Sequence, residues 1–194
     1  MKMTKLFTAT LLFGALFIGQ TAAAQNKMMK QDTKMVGGAE MFPTKNIVEN
    51  AINSKDHTTL VAAVKAADLV DVLVGKGPFT VFAPTNAAFD KLPKGTVETL
   101  VMKENKAQLQ TILTYHVVAG NWSAKDISKL IKKGKGKATI KTVSGGTLTA
   151  WKKGKAIYIT DENANSAMVT IADVMQSNGV IHVIDTVLLP GAKK

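Results

Sequence analysis

The sequence contains no cysteine and no arginine, and these two absences exclude several classes of protein. Without cysteine there is no disulfide and no thiolate metal site, so a buried core has to stabilise the fold. All 25 basic residues are lysine, against 14 acidic residues, which gives a net charge of +11. Arginine makes the bidentate contacts that recognise base edges and phosphates, so we expect no specific binding of nucleic acid.

Long apolar runs are also absent, apart from one near the N-terminus. Lys2 and Lys5 precede an apolar run over 6–18, which the small residues Ala22-Ala23-Ala24 follow. This pattern is typical of a signal peptide, and the run is too short for a stable membrane-spanning helix. We therefore predict a signal peptide over 1–24 that is cleaved between Ala24 and Gln25, no transmembrane anchor, and a protein that is secreted or periplasmic. The lack of cysteine favours a bacterial periplasmic origin.

The chain that follows is long enough for one well-buried domain. Residues 25–39 are polar, contain several lysines and methionines, and end in Gly37-Gly38, which predicts a flexible leader. We expect the folded domain over 40–191 and a short tail over 192–194.

Sequence motifs of the common hydrolases, zinc proteases and phosphate-binding enzymes are absent. The chain has no G-x-S-x-G, no H-E-x-x-H and no phosphate-binding G-x-x-x-x-G-K-[ST] motif, and it contains only three histidines. We therefore predict that the protein is not an enzyme, with no catalytic residue, no cofactor and no metal site.

Helical spacing of apolar residues dominates the first half of the chain, and short strands dominate the second. Thr85, Asn105 and Ser123 are expected to cap helices, the last two in capping boxes with Gln108 and Asp126. Helices followed by closely spaced strands predict an α+β fold rather than a doubly wound sheet. The predicted strands are 79–83, 138–143, 147–151, 156–160, 167–174, 180–184 and 186–189.

Three segments together resemble the signature boxes of the fasciclin domain family, in the order and at the separations typical of the family. They are Thr80–Phe89, Ile112–Val118 and Ser177–Pro190. The resemblance covers roughly residues 44–190. It implies a wedge-shaped α+β domain in which a cluster of short helices packs against two small, mostly antiparallel sheets. The signature residues it assigns to the scaffold are Thr80, Phe82, Pro84, Thr85, Phe89, Asn178, Gly179, His182 and Asp185.

The resemblance also implies a function and candidate contact residues. Fasciclin domains act in adhesion and extracellular interaction, and animal members contact integrins through a Tyr-His pair and an Asp-Ile dipeptide. The matching positions here are Tyr115-His116 and Asp173-Val174, where valine replaces isoleucine. The expected partner is a cell-surface or matrix protein. His116 and His182 lie among apolar residues, which favours buried, hydrogen-bonded imidazoles.

Charge placement indicates an alternative function. Ten lysines and one acid, Asp126, lie between Lys125 and Lys155. Seven of these lysines are in two glycine-containing loops, at positions Lys132, Lys133, Lys135, Lys137, Lys152, Lys153 and Lys155. If the two loops flank one hairpin, they form a basic edge. Such an edge either protects exposed strands from pairing or binds acidic polysaccharide in a salt-sensitive way.

Overall fold

The computed structural model describes residues 32–191 and confirms an α+β fold in which helices precede most of the strands. The predicted signal peptide over 1–24, residues 25–31 of the predicted leader and the tail over 192–194 lie outside the described residues. The strands are β1 Lys34–Val36, β2 Ala39–Met41, β3 Phe79–Pro84, β4 Val117–Ala119, β5 Lys137–Lys141, β6 Thr147–Lys153, β7 Ala156–Thr160, β8 Ser166–Gln176 and β9 Gly179–Ile184. The helices are α1 Ile47–Ala51, α2 Thr58–Ala66, α3 Val70–Val74, α4 Asn86–Phe89, α5 Thr96–Leu100, α6 Lys106–Tyr115 and α7 Ala124–Lys133, with 3-10 turns at Lys55–His57 and Lys103–Asn105.

Seven of the strands form one hydrogen-bonded array in the order β4-β3-β9-β8-β7-β6-β5, so β4 and β5 are its edges. Neighbouring strands are antiparallel except β3 and β9, which are parallel. The long strand β8 pairs with β7 through residues 166–168 and with β9 through residues 169–176, with register shifts between Val169 and Val174. The two small sheets that the resemblance implies therefore share β8.

Helix α7 packs against one half of this array. The Ser123 side chain accepts a hydrogen bond from the Asp126 backbone N–H at the start of the helix, and Gly134 ends it. Ile127 and Ile131 lie one turn apart and are buried against the inner faces of β5, β6 and β7. A second cluster joins β3 and β9 to β1 and β2, and a third joins α2 to α6.

The predicted flexible leader over 25–39 is wrong for residues 34–39, which belong to an antiparallel hairpin over 34–41. Gly37 and Gly38 have φ angles of +57° and +75°, so they make the two-residue turn that joins β1 to β2. Val36 and Met41 are buried, and the Lys34 ammonium donates to the Ala172 carbonyl at 2.6 Å. The folded domain therefore includes residues before Glu40.

Two other local predictions are also wrong. The Asn105 side chain makes no capping hydrogen bond to α6 and donates instead to the Thr99 carbonyl at 2.8 Å. Residues 186–189 belong to no strand. Within residues 32–191, no helix combines the length and the apolar character that are needed to cross a membrane.

Candidate functional site

Tyr115, the first candidate contact residue, is the last residue of α6 and is 0% exposed, so it is not a surface residue. Its hydroxyl donates to the Thr147 carbonyl at 2.7 Å and accepts from the Glu162 backbone N–H at 3.1 Å. Burial raises the pKa of Tyr115 to about 12. The side chain therefore ties α6 to the start of β6 and to the segment that follows β7.

His116, the second candidate, is 3% exposed and has backbone partners on both ring nitrogens. Nδ1 donates to the Ile112 carbonyl at 2.8 Å, and Nε2 accepts from the Leu188 backbone N–H at 3.0 Å. Because Nε2 accepts, the ring is neutral and carries its proton on Nδ1. Burial lowers the pKa of His116 to about 4. The imidazole thus joins α6 to the C-terminal segment.

Asp173 and His182 form a hydrogen-bonded group at the start of α7. Asp173 lies in the irregular part of β8 with φ of +55°, and its carboxylate accepts from the Ala124 backbone N–H at 2.6 Å. The Asp173 backbone N–H donates to His182 Nδ1 at 3.2 Å, and His182 Nε2 donates to the Trp122 carbonyl at 2.8 Å. Burial lowers the pKa of His182. Asp173 therefore supports the N-terminus of α7, while its neighbour Val174 is 1% exposed.

The interpretation of Tyr115, His116 and Val174 as surface contacts is corrected by this geometry, since all three are buried. Asp173 is half-buried and engaged at the start of α7. The four residues do not form a common exposed surface. The physical reason is that the C-terminal end of α6 is enclosed: Tyr115 belongs to the core cluster beneath α7, and the His116 imidazole bonds to the Leu188 N–H.

The signature residues of the first box lie in β3 and in the helix α4 that follows it. Thr80 donates to the Gly120 carbonyl at 2.6 Å and accepts from the Trp122 N–H, and Phe82 stacks on His182 with ring centroids 5.7 Å apart. Pro84 ends β3, and the Thr85 hydroxyl accepts from the Ala88 N–H, as predicted for a cap. Phe89 is half-buried rather than fully enclosed.

The signature residues of the third box connect helices to strands. The Asn178 amide donates to the carbonyls of Leu73 and Gly75 and accepts from the Ile47 N–H, so it links α1 to the end of α3. Gly179 begins β9 directly opposite Phe79. The Asp185 carboxylate accepts from the Met168 N–H at 2.8 Å and lies 3.8 Å from the Lys91 ammonium.

A buried Ser54–His57 pair was not predicted from the sequence. The Ser54 hydroxyl lies 2.9 Å from His57 Nδ1, and both residues are buried. Burial lowers the pKa of His57, and the nearby carbonyl of Ala83 offsets only part of that effect. Within the described residues His57 Nε2 has no hydrogen-bond partner. Because the pair is enclosed, it lacks the exposed oxygen that a nucleophilic serine needs.

His57 also lines an apolar cavity between the helices and β3. The cavity has a volume of about 80 Å³, and its other walls include Leu60, Val64, Leu73 and Val81. An apolar cavity of roughly 150 Å³ binds benzene, so this one holds only a few carbon atoms. Within residues 32–191, no three histidine, aspartate or glutamate side chains come together as a group that could hold a metal ion.

The two lysine-rich loops are at one end of the sheet. Lys137 at the start of β5 pairs with Trp151, and Lys153 at the end of β6 pairs with Ala156, so the α7–β5 loop lies beside the β6–β7 turn. Only Lys135 and Lys155 lie in the loops themselves, because the other five lysines belong to the ends of α7, β5 and β6. All seven are exposed, and among the described residues none of them is in an ion pair. We call this group the lysine end: Lys132, Lys133, Lys135, Lys137, Lys152, Lys153 and Lys155.

Replacing Tyr115 by phenylalanine is expected to lower the free energy of unfolding by about 1–2 kcal/mol. The change removes one hydroxyl and leaves the Thr147 carbonyl and the Glu162 N–H without their partner. Urea unfolding followed by circular dichroism measures the loss. Tyr158→Phe is the matched control, because Tyr158 is half-buried and its hydroxyl makes no hydrogen bond within the described residues. Equal stability of the two variants would contradict a structural role for the Tyr115 hydroxyl.

Comparison with known proteins identifies the family. The model of the fasciclin domain matches residues 55–190, and the chain therefore belongs to the fasciclin family. It is 44% identical over 170 residues to protein sll1483 of Synechocystis, covering 88% of this chain and 87% of that protein.

Three further similarities extend this result. The chain is 37% identical to the immunogenic protein MPB70 of Mycobacterium bovis, covering 73% of this chain and 67% of that protein. It is 38% identical to the cell surface glycolipoprotein MPB83 of the same species, covering 74% and 60%. A solved FAS1 domain pair from the insect cell adhesion molecule fasciclin I has the same fold, with a TM-score of 0.68 at 21% identity. The match covers 76% of this chain, which spans about half of that pair (52%).

Proposed function

We propose that this chain is an exported, non-enzymatic interaction module that attaches to cell-surface or matrix components through its surface. Membership of the fasciclin family supports an extracellular interaction role, as do the names of two similar proteins, a cell surface glycolipoprotein and a cell adhesion molecule. The predicted signal peptide supports secretion or export to the periplasm.

The observation that carries the proposal is the burial of the family's candidate contact residues. Tyr115 and His116 have all their polar side-chain atoms bonded within the fold, so contacts with a partner have to be made by other, exposed residues. Neither ring nitrogen of His116 or of His182 is free to accept a proton from a substrate, which supports a role without catalysis.

A second candidate function, salt-sensitive binding of acidic polysaccharide, is favoured by the lysine end. Seven exposed cations brought together by the register of β5, β6 and β7 create a positive potential that attracts polyanions. Exposed lysines are screened by salt, so such binding has to weaken as the ionic strength rises. Contact with a protein partner through apolar surface is far less sensitive to salt.

The triple variant Lys152→Ala, Lys153→Ala, Lys155→Ala is expected to bind immobilised heparin about tenfold more weakly at 0.15 M salt. Each exposed ion pair contributes about 0.5 kcal/mol, and three of them correspond to roughly one order of magnitude in affinity. The salt concentration at elution and the dissociation constant measure the loss. A matched control removes three exposed lysines from the helical half, Lys76, Lys94 and Lys103, and changes the net charge by the same amount.

The same variants separate the two candidate functions in a sedimentation assay with intact cells. Attachment that salt abolishes and that the lysine-end variant loses, while the control variant keeps it, supports polysaccharide binding. Attachment that persists in high salt in both variants supports contact with a surface protein. Absence of attachment in every condition would contradict the proposed function as a whole.

A further inference from the structure

The outer face of β5, β6 and β7 is a second surface beside the lysine end. Alternate residues of these strands point inward to the core beneath α7 and include Ile140, Leu148, Ala150 and Ile159. The residues between them point to the opposite face, where they are exposed or half-buried. Because direct cross-strand partners lie side by side, the register arranges this outer face in rows.

One row joins a lysine to two aromatic rings. Lys137 is the cross-strand partner of Trp151, and Trp151 is the partner of Tyr158. The two rings are stacked with their centroids 4.7 Å apart and an interplanar angle of 19°. The indole Nε1 donates to the Thr160 hydroxyl at 2.8 Å, which fixes the orientation of Trp151. Both aromatic residues are only half-buried, so the sheet holds a preorganised aromatic pair that solvent reaches.

The next row, two residues along each strand, consists of hydroxyl groups. Thr139 pairs with Thr149, Thr149 with Thr160, and Thr160 with Ser166. The Thr160 and Ser166 hydroxyls are 2.7 Å apart. Within the described residues the hydroxyls of Thr139 and Thr149 make no hydrogen bond, so they can donate to or accept from a ligand above the sheet.

Charge on these strands has one sign. The segments β5, β6 and β7 contain four lysines and no acidic residue, and Lys137, Lys141 and Lys153 are on the outer face. The carboxylate of Glu162 contacts Thr147 at the end of the face away from the lysine end, where it also accepts from the Gly191 N–H. The aromatic row therefore lies on the side of the face that joins the lysine end.

We propose that this outer face binds an acidic polysaccharide, with a sugar ring packed on the Trp151–Tyr158 pair. The Thr139 and Thr149 hydroxyls bond the sugar hydroxyls, and Lys137 and Lys153 pair with its carboxylate or sulfate groups. The proposal rests on the second candidate function, polysaccharide binding, and adds recognition of the sugar itself. Lysines alone attract any polyanion, whereas an aromatic pair beside a hydroxyl row matches the apolar faces and the polar edges of a pyranose.

The experiment compares two polyanions, one made of sugars and one not. Trp151→Ala is expected to weaken binding to heparin about tenfold, as loss of a central aromatic contact does, and to change binding to inorganic polyphosphate less than twofold. The Lys152/Lys153/Lys155→Ala variant weakens both. Trp122→Phe, which changes the other tryptophan of the chain, leaves both unchanged. Equal loss of heparin and polyphosphate binding in Trp151→Ala, or no loss of either, overturns the sugar site but leaves the proposed function standing.

A spectroscopic measurement keeps the test valid if Trp151→Ala fails to fold. In the Trp122→Phe protein, Trp151 is the only tryptophan, so its fluorescence reports on the aromatic pair alone. We expect heparin to change this emission, and polyphosphate and poly-glutamate not to. An emission that no polyanion changes while heparin is bound would place the sugar elsewhere. An emission that poly-glutamate changes equally would identify the face as a site for acidic peptides and overturn the proposal.

Discussion

Replacing Gly179 by alanine is expected to lower the free energy of unfolding by about 3 kcal/mol, the upper end of the usual cost of overpacking a core. Gly179 begins β9, the strand between β3 and β8, and it lies opposite Phe79. A Cβ atom at this position would be 2.0 Å from the Phe79 carbonyl oxygen. Because that oxygen belongs to the backbone of β3, relief of the contact requires the two strands to separate.

The matched control for this variant is Gly154→Ala. Gly154 has φ of +60° in the β6–β7 turn, but a Cβ there would meet nothing within 4 Å. Its replacement costs only the conformational strain of a left-handed residue, about 1 kcal/mol. Urea unfolding of both variants distinguishes the destabilisation caused by backbone strain from that caused by the steric clash. If Gly179→Ala is no less stable than Gly154→Ala, the result contradicts a destabilising clash between the added Cβ and the backbone of β3.

Lowering the pH from 7 to 5 is expected to destabilise the protein by at least about 2 kcal/mol. Burial lowers the pKa of His57, His116 and His182, and that of His116 to about 4. An unfolded chain has histidine pKa values near 6.5. Between these values the unfolded state binds more protons, so the stability falls as the pH falls. Protonation of His116 in the unfolded state alone accounts for the loss of about 2 kcal/mol.

Urea unfolding at constant ionic strength across pH 5–7 measures this dependence. The pKa of Asp126 is lowered chiefly by the Ser123 hydroxyl, and that of Glu162 chiefly by the Gly191 N–H. The contributions of these two carboxylates to the free energy of unfolding are therefore lost only below about pH 4.5.

The control is His116→Gln, which removes one titrating group. The variant is expected to be less stable at pH 7 and to show a pH dependence smaller by about 2 kcal/mol. A wild-type stability that is constant between pH 7 and pH 5 would contradict burial of the three histidines in neutral form.

Local patterns in the sequence were sufficient to predict most of the scaffold. Thr85 and Ser123 cap helices as their spacing indicates, because a cap depends only on residues three positions away. Strand β7 begins and ends where alternation predicts. The sequence does not distinguish the Gly37-Gly38 turn from a linker, because two glycines suit a flexible segment and a tight hairpin equally well. The hairpin forms because Val36 and Met41 find a buried surface, and that surface comes from distant residues.

The errors at the candidate site have a common cause, namely contacts between residues far apart in the sequence. Residues 186–189 have strand-like composition, but their backbone donors bond to side chains, Leu188 N–H to His116 and Leu189 N–H to Asp161. The contact role of Tyr115 is implied by the resemblance alone, and no local pattern indicates its burial, because its partners, Thr147 and Glu162, follow 32 and 47 positions later. The Trp151–Tyr158 pair was within reach of prediction, since a two-residue Gly-Lys turn after Lys153 sets that register.

Strand β5 is one of the two edges of the seven-stranded array, and its unpaired backbone groups lie beside exposed lysines at both of its ends, Lys137 and Lys141. When two copies of the chain approach along this edge, their like charges repel, which opposes the strand-to-strand association that a free edge invites. A long anionic polymer that neutralises these lysines removes the repulsion and concentrates several copies along its length. We therefore expect the polymer to act as a template that promotes clustering of a protein whose free copies keep apart.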